Sequence, residues 1–279
     1  MIKSVAIVGC GWFGLPLAKS LLEKGVTVSG SKRSQAEVEQ LTACGINGFR
    51  FDLDDDIHLA SDEQSLINAL DLDCLVINIP PGLRKNPNAY IARLEKLKRL
   101  ISGIEYKKVI FVSTTGVYPP INGLLAEQDA QVHSEVSDKL LQAEAMFSDT
   151  ANLCIVRFAG LVGPKRHPGR FLAGKKQLPG ATAAVNLVHL NDCIAAVNRL
   201  IFEQDAKGTY NVCAPVHPTR QVFYVEAANA LGEIAPEFIE QHGENESVTG
   251  KLISSERLLT ELNFQFQFSD PIAMLDACE

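Results

Sequence analysis

The chain has 279 residues, enough for one or two domains around a sizeable core, and 46% of them are hydrophobic against 21% charged, the balance of an ordinary globular protein. Lysine plus arginine total 26 against 33 aspartates and glutamates, a formal net charge of −7, so no overall positive field exists to hold nucleic acid or an anionic bilayer. Seven scattered cysteines without a C-x-x-C pair, and six histidines without metal-ligand spacing, argue against a disulfide framework and a structural metal and for a reducing, cytoplasmic setting. No apolar run approaches the roughly 18 residues of a membrane span. The apolar start from Val5 to Ala18 carries three glycines and Pro16 and runs into Lys19, which reads as strand, turn and helix, not as a signal peptide.

In chain order the first half alternates short β-rich runs with longer helical ones: SVAIVG, LPLAKSLLEK, VTVSG, QAEVEQLTAC, GFRFDL, SLINAL, DCLVINIP, YIARLEKLKRLI and KKVIFVS. Such alternation predicts β-α-β units around a parallel sheet with helices on both faces. The unbroken apolar runs VAIV, CLVINI and VIFV mark strands buried on both sides. The expected class is therefore α/β, a doubly wound parallel (Rossmann) sheet. Pro16 falls in the first turn of its helix and Gly25 at its end, the positions those residues favour. A further helix continues to about Phe147, LCIVRF supplies another buried strand, and the stretch GLVGPKRHPGRF breaks the rhythm. A dinucleotide-binding domain over 1–163 and a smaller substrate-side region over 164–279 are expected, with about 185–214 returning to the sheet. That return comprises NLVHL, a helix opened by Asn191 or Asp192 and running to about Phe202, and GTYNVC; a helix near Val222 to Leu231 and a small C-terminal region follow. The acidic patch Asp52, Asp54, Asp55 and Asp56 reads as solvated loop, and the sequon Asn245-Glu246-Ser247 carries no meaning in a cytoplasmic protein.

Gly9-Cys10-Gly11-Trp12-Phe13-Gly14 fits G-x-G-x-x-G directly after a strand and before a helix. There the first glycine makes the turn, the second lets backbone approach a pyrophosphate, and the third packs helix on strand, while helix N–H groups meet the anion. Gly9, Gly11, Trp12, Phe13 and Gly14 are accordingly expected at a cofactor. An acidic residue some twenty positions on would hold the ribose hydroxyls of NAD, but Gly30-Ser31-Lys32-Arg33-Ser34 stands there, with Glu37 too far along to replace the carboxylate. Ser31, Lys32 and Arg33 suit a 2′-phosphate, which favours NADP(H) over NAD(H); the alternative makes Lys32 and Arg33 an exposed loop pair.

With this loop, FDL at 51–53, IPP at 79–81, VIFVSTTGVYP at 109–119, VRFAGLVGP at 156–164, NLVHLND at 186–192 and TYNVCAP at 209–215, the chain resembles the extended short-chain dehydrogenase/reductases, the nucleotide-sugar epimerase and dehydratase group, over essentially its full length. Within that group it looks like the atypical, YeeZ-type proteins, which are NAD-dependent epimerase/dehydratase-like. The resemblance implies that Asp52 and Leu53 lie on the adenine side, that Pro80 and Pro81 meet the cofactor, and that Thr114, with Ser113 adjacent, hydrogen-bonds the reacting oxygen. It also implies a Tyr-x-x-x-Lys pair whose lysine lowers the tyrosine pKa, and here the sequence departs from the pattern. In HSEVSDKLLQAEAMF only Lys139 survives, preceded four residues earlier by Glu135. Those two share a helix face and would most simply form an ion pair; the functional reading gives proton transfer to Glu135 or His133 and the cofactor ribose to Lys139. Tyr118 reads as a packing residue. Thr115 and Gly116, where family dehydratases carry an acidic pair, argue against sugar 4,6-dehydration.

The basic cluster Lys165, Arg166, His167, Arg170, Lys175 and Lys176 follows the chain break, where the resemblance puts the substrate wall. Arg166, His167 and Arg170 there suit an anionic group; a solvated loop is the alternative. Arg157 and His189 read as satisfied core groups and Asp192 as a helix N-cap. The expected protein is an NAD(P)-dependent oxidoreductase or epimerase, monomeric or homodimeric, acting on a small nucleotide-linked or otherwise anionic carbonyl/hydroxyl substrate. The competing expectation is a non-catalytic NAD(P)-binding sensor or regulatory protein.

Overall fold

The computed structural model describes residues 1–55, 60–83, 87–239 and 248–278. Asp56, His58, His242 and the sequon lie outside them. The first half runs β1 (Ser4–Val8), α1 (Gly14–Glu23), β2 (Thr27–Lys32), α2 (Gln35–Ala43), β3 (Asn47–Arg50), α3 (Ala60–Leu70), β4 (Cys74–Ile77), α4 (Pro87–Leu100) and β5 (Lys108–Thr114). It continues through β6 (Gly123–Leu125), α5 (Glu135–Met146), β7 (Leu153–Phe158), β8 (Gly160–Val162), α6 (Gly169–Leu172) and β9 (Leu187–His189). The chain then forms α7 (Leu190–Phe202), β10 (Gly208–Val212), α8 (Arg220–Ala230), β11 (Lys251–Ile253) and α9 (Glu256–Glu261).

Seven strands form one parallel sheet in the order β10-β7-β5-β4-β1-β2-β3. The pairs β1/β2, β2/β3, β1/β4 and β4/β5 are in parallel register, with Val5 beside both Val28 and Cys74. The winding steps outward from β1 through β2 to β3, then returns to β4 and steps the other way. The reversal between β1 and β4 is a topological switch point, where open α/β sheets leave a crevice beyond the strand C-termini. Burial follows the sequence: Val5, Ala6, Ile7, Leu75 and Val76 are fully buried, as strands covered on both faces must be. Helix α1 buries Leu17, Ala18 and Leu21 on one stripe, and Gly25 leaves it at φ +76°, a turn that a Cβ would strain.

Contacts divide the chain into two compact units, one of residues 1–117, 132–156 and 196–209 and one of 118–131, 157–195 and 210–279. The first holds the glycine loop and the first five sheet strands. The second has two small parallel sheets, β6 with β11 and β8 with β9, and a core that includes Val162, Leu187, Phe223, Ala227 and Met274. Strand β10 enters the large sheet beside β7, whereas β9 pairs with β8 instead.

Asp192 differs from the sequence expectation. Helix α7 already starts at Leu190, because the His189 ring stands at its entrance and Nδ1 accepts the Asn191 N–H at 3.2 Å. With that place taken, the buried Asp192 carboxylate accepts the N–H groups of Gln267 at 2.6 Å and Phe268 at 3.2 Å, clasping the C-terminal segment; burial raises its pKa, against the smaller pull of those two donors. His189 is a satisfied core group, its Nε2 bonded to Ala277 O at 3.1 Å. Among the described residues no helix is long and apolar enough to cross a membrane.

Candidate functional site

The glycine loop is built by mutual close approach. Gly9 takes φ +103°, and a Cβ there would lie 2.2 Å from the Asn78 carbonyl oxygen. Its N–H donates to Ser31 Oγ at 2.9 Å, and its carbonyl accepts from Asn78 Nδ2 at 2.8 Å. One turn thereby ties the ends of β1, β2 and β4 together. A Cβ on Gly14 would stand 2.3 Å from Gly9 O, whereas one on Gly11 would meet nothing within 4 Å. Helix α1 begins without a side-chain cap and without an acidic residue in its first turn, so its partial positive charge is not neutralised from within. An open approach at Gly11 in front of such a helix terminus fits a dinucleotide pyrophosphate. Trp12 is half-buried and Phe13 is in the core, 4% exposed, so Phe13 offers the loop backbone and not its ring. Burial pushes the Cys10 thiol up to about 12, which leaves it unreactive.

Asn78 is the residue sequence reasoning missed. The signal was a polar side chain interrupting the apolar run CLVINI one residue past β4, at the sheet's switch point. Beyond it Pro80 is exposed and Pro81 half-buried.

At the end of β2, Ser31 is buried, Lys32 half-buried and Arg33 exposed. The Arg33 carbonyl accepts from Arg50 Nε at 3.0 Å, which ties the loop to the end of β3. Glu37 is closer to this loop than its place in the sequence suggests, because the first turn of α2 folds it back. Its carboxylate accepts from Ser34 Oγ at 2.8 Å and Lys32 Nζ at 3.3 Å, and these partners hold its pKa below the usual range. Asp52 and Leu53 are half-buried after β3. Within the acidic patch Asp54 and Asp55 are exposed loop residues, as expected, and both are paired: Arg93 of α4 donates twice to Asp54, both at 2.7 Å, and lowers its pKa, and Arg50 pairs with Asp55.

Strand β5 delivers Ser113 and Thr114 with opposite orientations, as the two-residue period requires. Ser113 turns inward, 9% exposed, and its Oγ donates to the buried Glu144 of α5 at 2.6 Å. Thr114 stays half-exposed, and its Oγ1 accepts the Gly116 N–H at 3.3 Å. The start of α5 is a capping box in which Ser134 Oγ accepts from Ser137 N at 3.1 Å, and His133 N donates to Ser137 Oγ at 2.9 Å. That box fixes His133 so that Nε2 lies 3.3 Å from the Gly116 carbonyl oxygen. The structure thus brings Thr114, Gly116 and His133 together.

The expected ion pair between Glu135 and Lys139 does not form. Glu135, first residue of α5, is exposed, where its charge favours the helix start, and Lys139 reaches Gln142 Oε1 at 3.4 Å.

In the second unit Tyr118 is fully buried. Its hydroxyl donates to Asn211 Oδ1 at 2.6 Å and accepts from Arg157 Nη1 at 2.8 Å. Burial raises its pKa, against the pull of Arg157. Arg157 also donates to Glu127 O at 2.8 Å, a satisfied core cation as the sequence suggests. The basic cluster is less free than its composition implies. Gly169 packs against α8, where a Cβ would lie 2.1 Å from Ala227 O. Arg170 comes to 4.0 Å from Glu233, and Lys176 pairs with Glu237 at 2.9 Å. His167 Nδ1 accepts the Gly169 N–H at 3.0 Å. Lys165, Arg166 and Lys175 are exposed, and partial burial lowers the Arg166 pKa.

Residues 4–115 match the family of the NAD binding domain of 6-phosphogluconate dehydrogenase. A protein of Methylobacillus flagellatus assigned as an NAD-dependent epimerase/dehydratase shares the fold at TM-score 0.79 and 24% identity, over 100% of this chain and 98% of that one. The UDP-glucuronic acid 4-epimerase of Bacillus cereus, solved in complex with NAD, does so at TM-score 0.76 and 15% identity, over 98% and 96%. Fold and glycine loop together define an α/β protein with a Rossmann-type, NAD-binding domain. Protein YeeZ of Escherichia coli strain K12 is 37% identical over 283 residues, covering 98% of this chain and 99% of YeeZ. The chain belongs to the YeeZ family.

Proposed function

We propose that this protein is an NADP(H)-preferring oxidoreductase or epimerase acting on a carbonyl or hydroxyl group of an anionic, nucleotide-linked or similar substrate. The observation that carries the reading is the Thr114, Gly116 and His133 constellation, built at the C-terminal end of β5 in the sheet whose β1 bears the glycine loop. When bound, the nicotinamide supplies hydride exchange. The chain's own part is to position the reacting oxygen and manage its proton. Thr114 Oγ1 is half-exposed and donates to that oxygen. A carbonyl can only accept, so in the bond to Gly116 Nε2 is the donor, which leaves Nδ1 of the exposed ring as the atom that takes up and returns a proton. His133 therefore takes the acid/base role that tyrosine holds in the wider family, Ser113 acts by positioning α5 through Glu144, and Glu135 serves the helix start.

The preference for NADP(H) draws support from the exposed Arg33 and Ser34 and from the lack of a carboxylate at the end of β2 itself. The exposed Lys165 and Arg166 support an anionic substrate. Nucleotide sugars and small carbonyl compounds should be screened for nicotinamide absorbance changes and epimer formation. Thr114→Val and His133→Asn are each expected to lose about 100-fold in kcat with cofactor affinity retained, while Glu135→Gln stays near wild type. Turnover that survives both substitutions overturns this site. Cofactor binding with no turnover of any substrate favours the sensor, a reading supported by the missing Tyr-x-x-x-Lys pair.

A further inference from the structure

We infer that Glu37 sets the balance between NAD(H) and NADP(H), by occupying the two side chains of the β2–α2 loop that would otherwise bind a 2′-phosphate. This rests on the reading of that loop as the adenosine ribose site. Lys32 Nζ is 3.3 Å from Glu37 Oε1 and Ser34 Oγ is 2.8 Å from Oε2, so one carboxylate engages both groups at once. It is only partly shielded, the side chains of Lys32 and Glu37 being 20% and 43% exposed. Arg33 remains: its side chain is exposed, within range of the Asp54 charge, and its carbonyl accepts from Arg50.

The two cofactors differ at this point by one group. A 2′-hydroxyl can donate to a carboxylate, so Glu37 can stay in place and accept from it while still holding Lys32. A 2′-phosphate has no proton to offer at neutral pH and carries close to two negative charges, so Glu37 must leave Lys32 and Ser34 before they can bind it. The basic loop therefore discriminates less sharply than its sequence suggests, and a carboxylate missing from the end of β2 is supplied from the first turn of α2. Two charges roughly 5 Å apart at a solvated surface repel enough to change affinity about tenfold once the phosphate's double charge is counted.

Titration calorimetry on the full chain with NADPH, NADH and adenosine 2′,5′-bisphosphate tests this without any turnover. Glu37→Gln should lower the Kd of NADPH and of the bisphosphate about fivefold to tenfold and leave that of NADH unchanged or up to threefold weaker. Glu39→Gln, an equal change of charge on the exposed side of the same helix, should stay within twofold of wild type for all three. Glu37→Ala removes the same charge with a strong helix former and repeats the test should glutamine disturb α2. An NADPH to NADH ratio unmoved by both Glu37 substitutions overturns the inference, as does an equal response in Glu39→Gln. A wild type that prefers NADH refutes the proposed NADP(H) preference alone, and Glu37 is upheld if its removal still shifts the ratio toward NADPH. A chain that binds none of the three ligands overturns both.

Discussion

The second and third glycines of the loop make opposite predictions, because the structure gives them opposite surroundings. A methyl group on Gly14 would stand 2.3 Å from Gly9 O and 3.1 Å from Gly9 C, so the turn must retreat by roughly 1 Å to reach ordinary contact. That turn is pinned: the same oxygen accepts from Asn78 Nδ2 and from Gly11 N, both at 2.8 Å. Breaking both bonds costs about 2 kcal/mol, strain from overpacking adds about 1–3 kcal/mol, and the better helix propensity of alanine returns about 1 kcal/mol. Gly14→Ala is expected to destabilise the cofactor-free protein by about 2–4 kcal/mol. Gly11 has nothing within 4 Å of its Cβ position and a φ outside the left-handed region, so Gly11→Ala should leave stability within about 0.5 kcal/mol. The same methyl stands in the path of the pyrophosphate and should weaken both dinucleotides at least tenfold. Urea unfolding followed by circular dichroism, paired with calorimetric titration, separates the two effects. A Gly14→Ala protein as stable as wild type, or a Gly11→Ala protein that is destabilised yet binds normally, would refute the division between a packing glycine and a binding glycine.

Lys108 is 2% exposed, and its ammonium donates to the carbonyls of Glu203 at 2.8 Å, Gln204 at 3.4 Å and Ala206 at 2.5 Å, closing the chain just past α7. Lys108→Met strips the donor from three acceptors and should cost about 2–3 kcal/mol in denaturant unfolding; a loss under about 1 kcal/mol would show that those carbonyls find other partners. His217 has a pKa lowered by burial, against a bond to Val185 O. The folded state thus prefers the neutral ring, and the unfolded chain binds more protons between the two pKa values. This stability is present above about 6.5 and lost as the pH falls from there through the folded value. His217→Asn should flatten the stability profile across that window, and an unchanged profile would remove His217 as its source.

The first half of the fold was legible because its signals are local. Continuous apolar runs at β1, β4 and β5 and the turn residues between them record burial on both faces, which depends on neither partner nor register. The two small sheets left no such mark. Strand β6 pairs Gly123 with Lys251 and Leu125 with Ile253, three-residue contacts between segments more than a hundred positions apart, and no local pattern announces them. The site was legible to the same degree. The glycine motif fixes the backbone it needs, whereas Asn78, which holds it, is one polar residue interrupting an apolar run. Spacing also misled where it gives a face and not a partner: Glu135 and Lys139 lie four apart on α5, yet Lys139 bonds Gln142.

The same helix start explains how a site without the Tyr-x-x-x-Lys pair can still present a proton-bearing group. A tyrosine four residues before Lys139 would occupy the first position of α5, which here belongs to Glu135 inside the Ser134–Ser137 box. A carboxylate at that position serves the helix terminus and stays in solvent. The box spends its own hydrogen bonds on the backbone of His133 and Ser134, so the residue before the helix, not a residue within it, is the one held against the turn that follows Thr114. A reactive group at the mouth of a helix needs only its cap to be positioned, whereas one inside it must also match the helix phase. On the proposed assignment of His133, the acid/base sits at the helix entrance, next to the turn that follows Thr114, and Lys139 stays on the helix behind it.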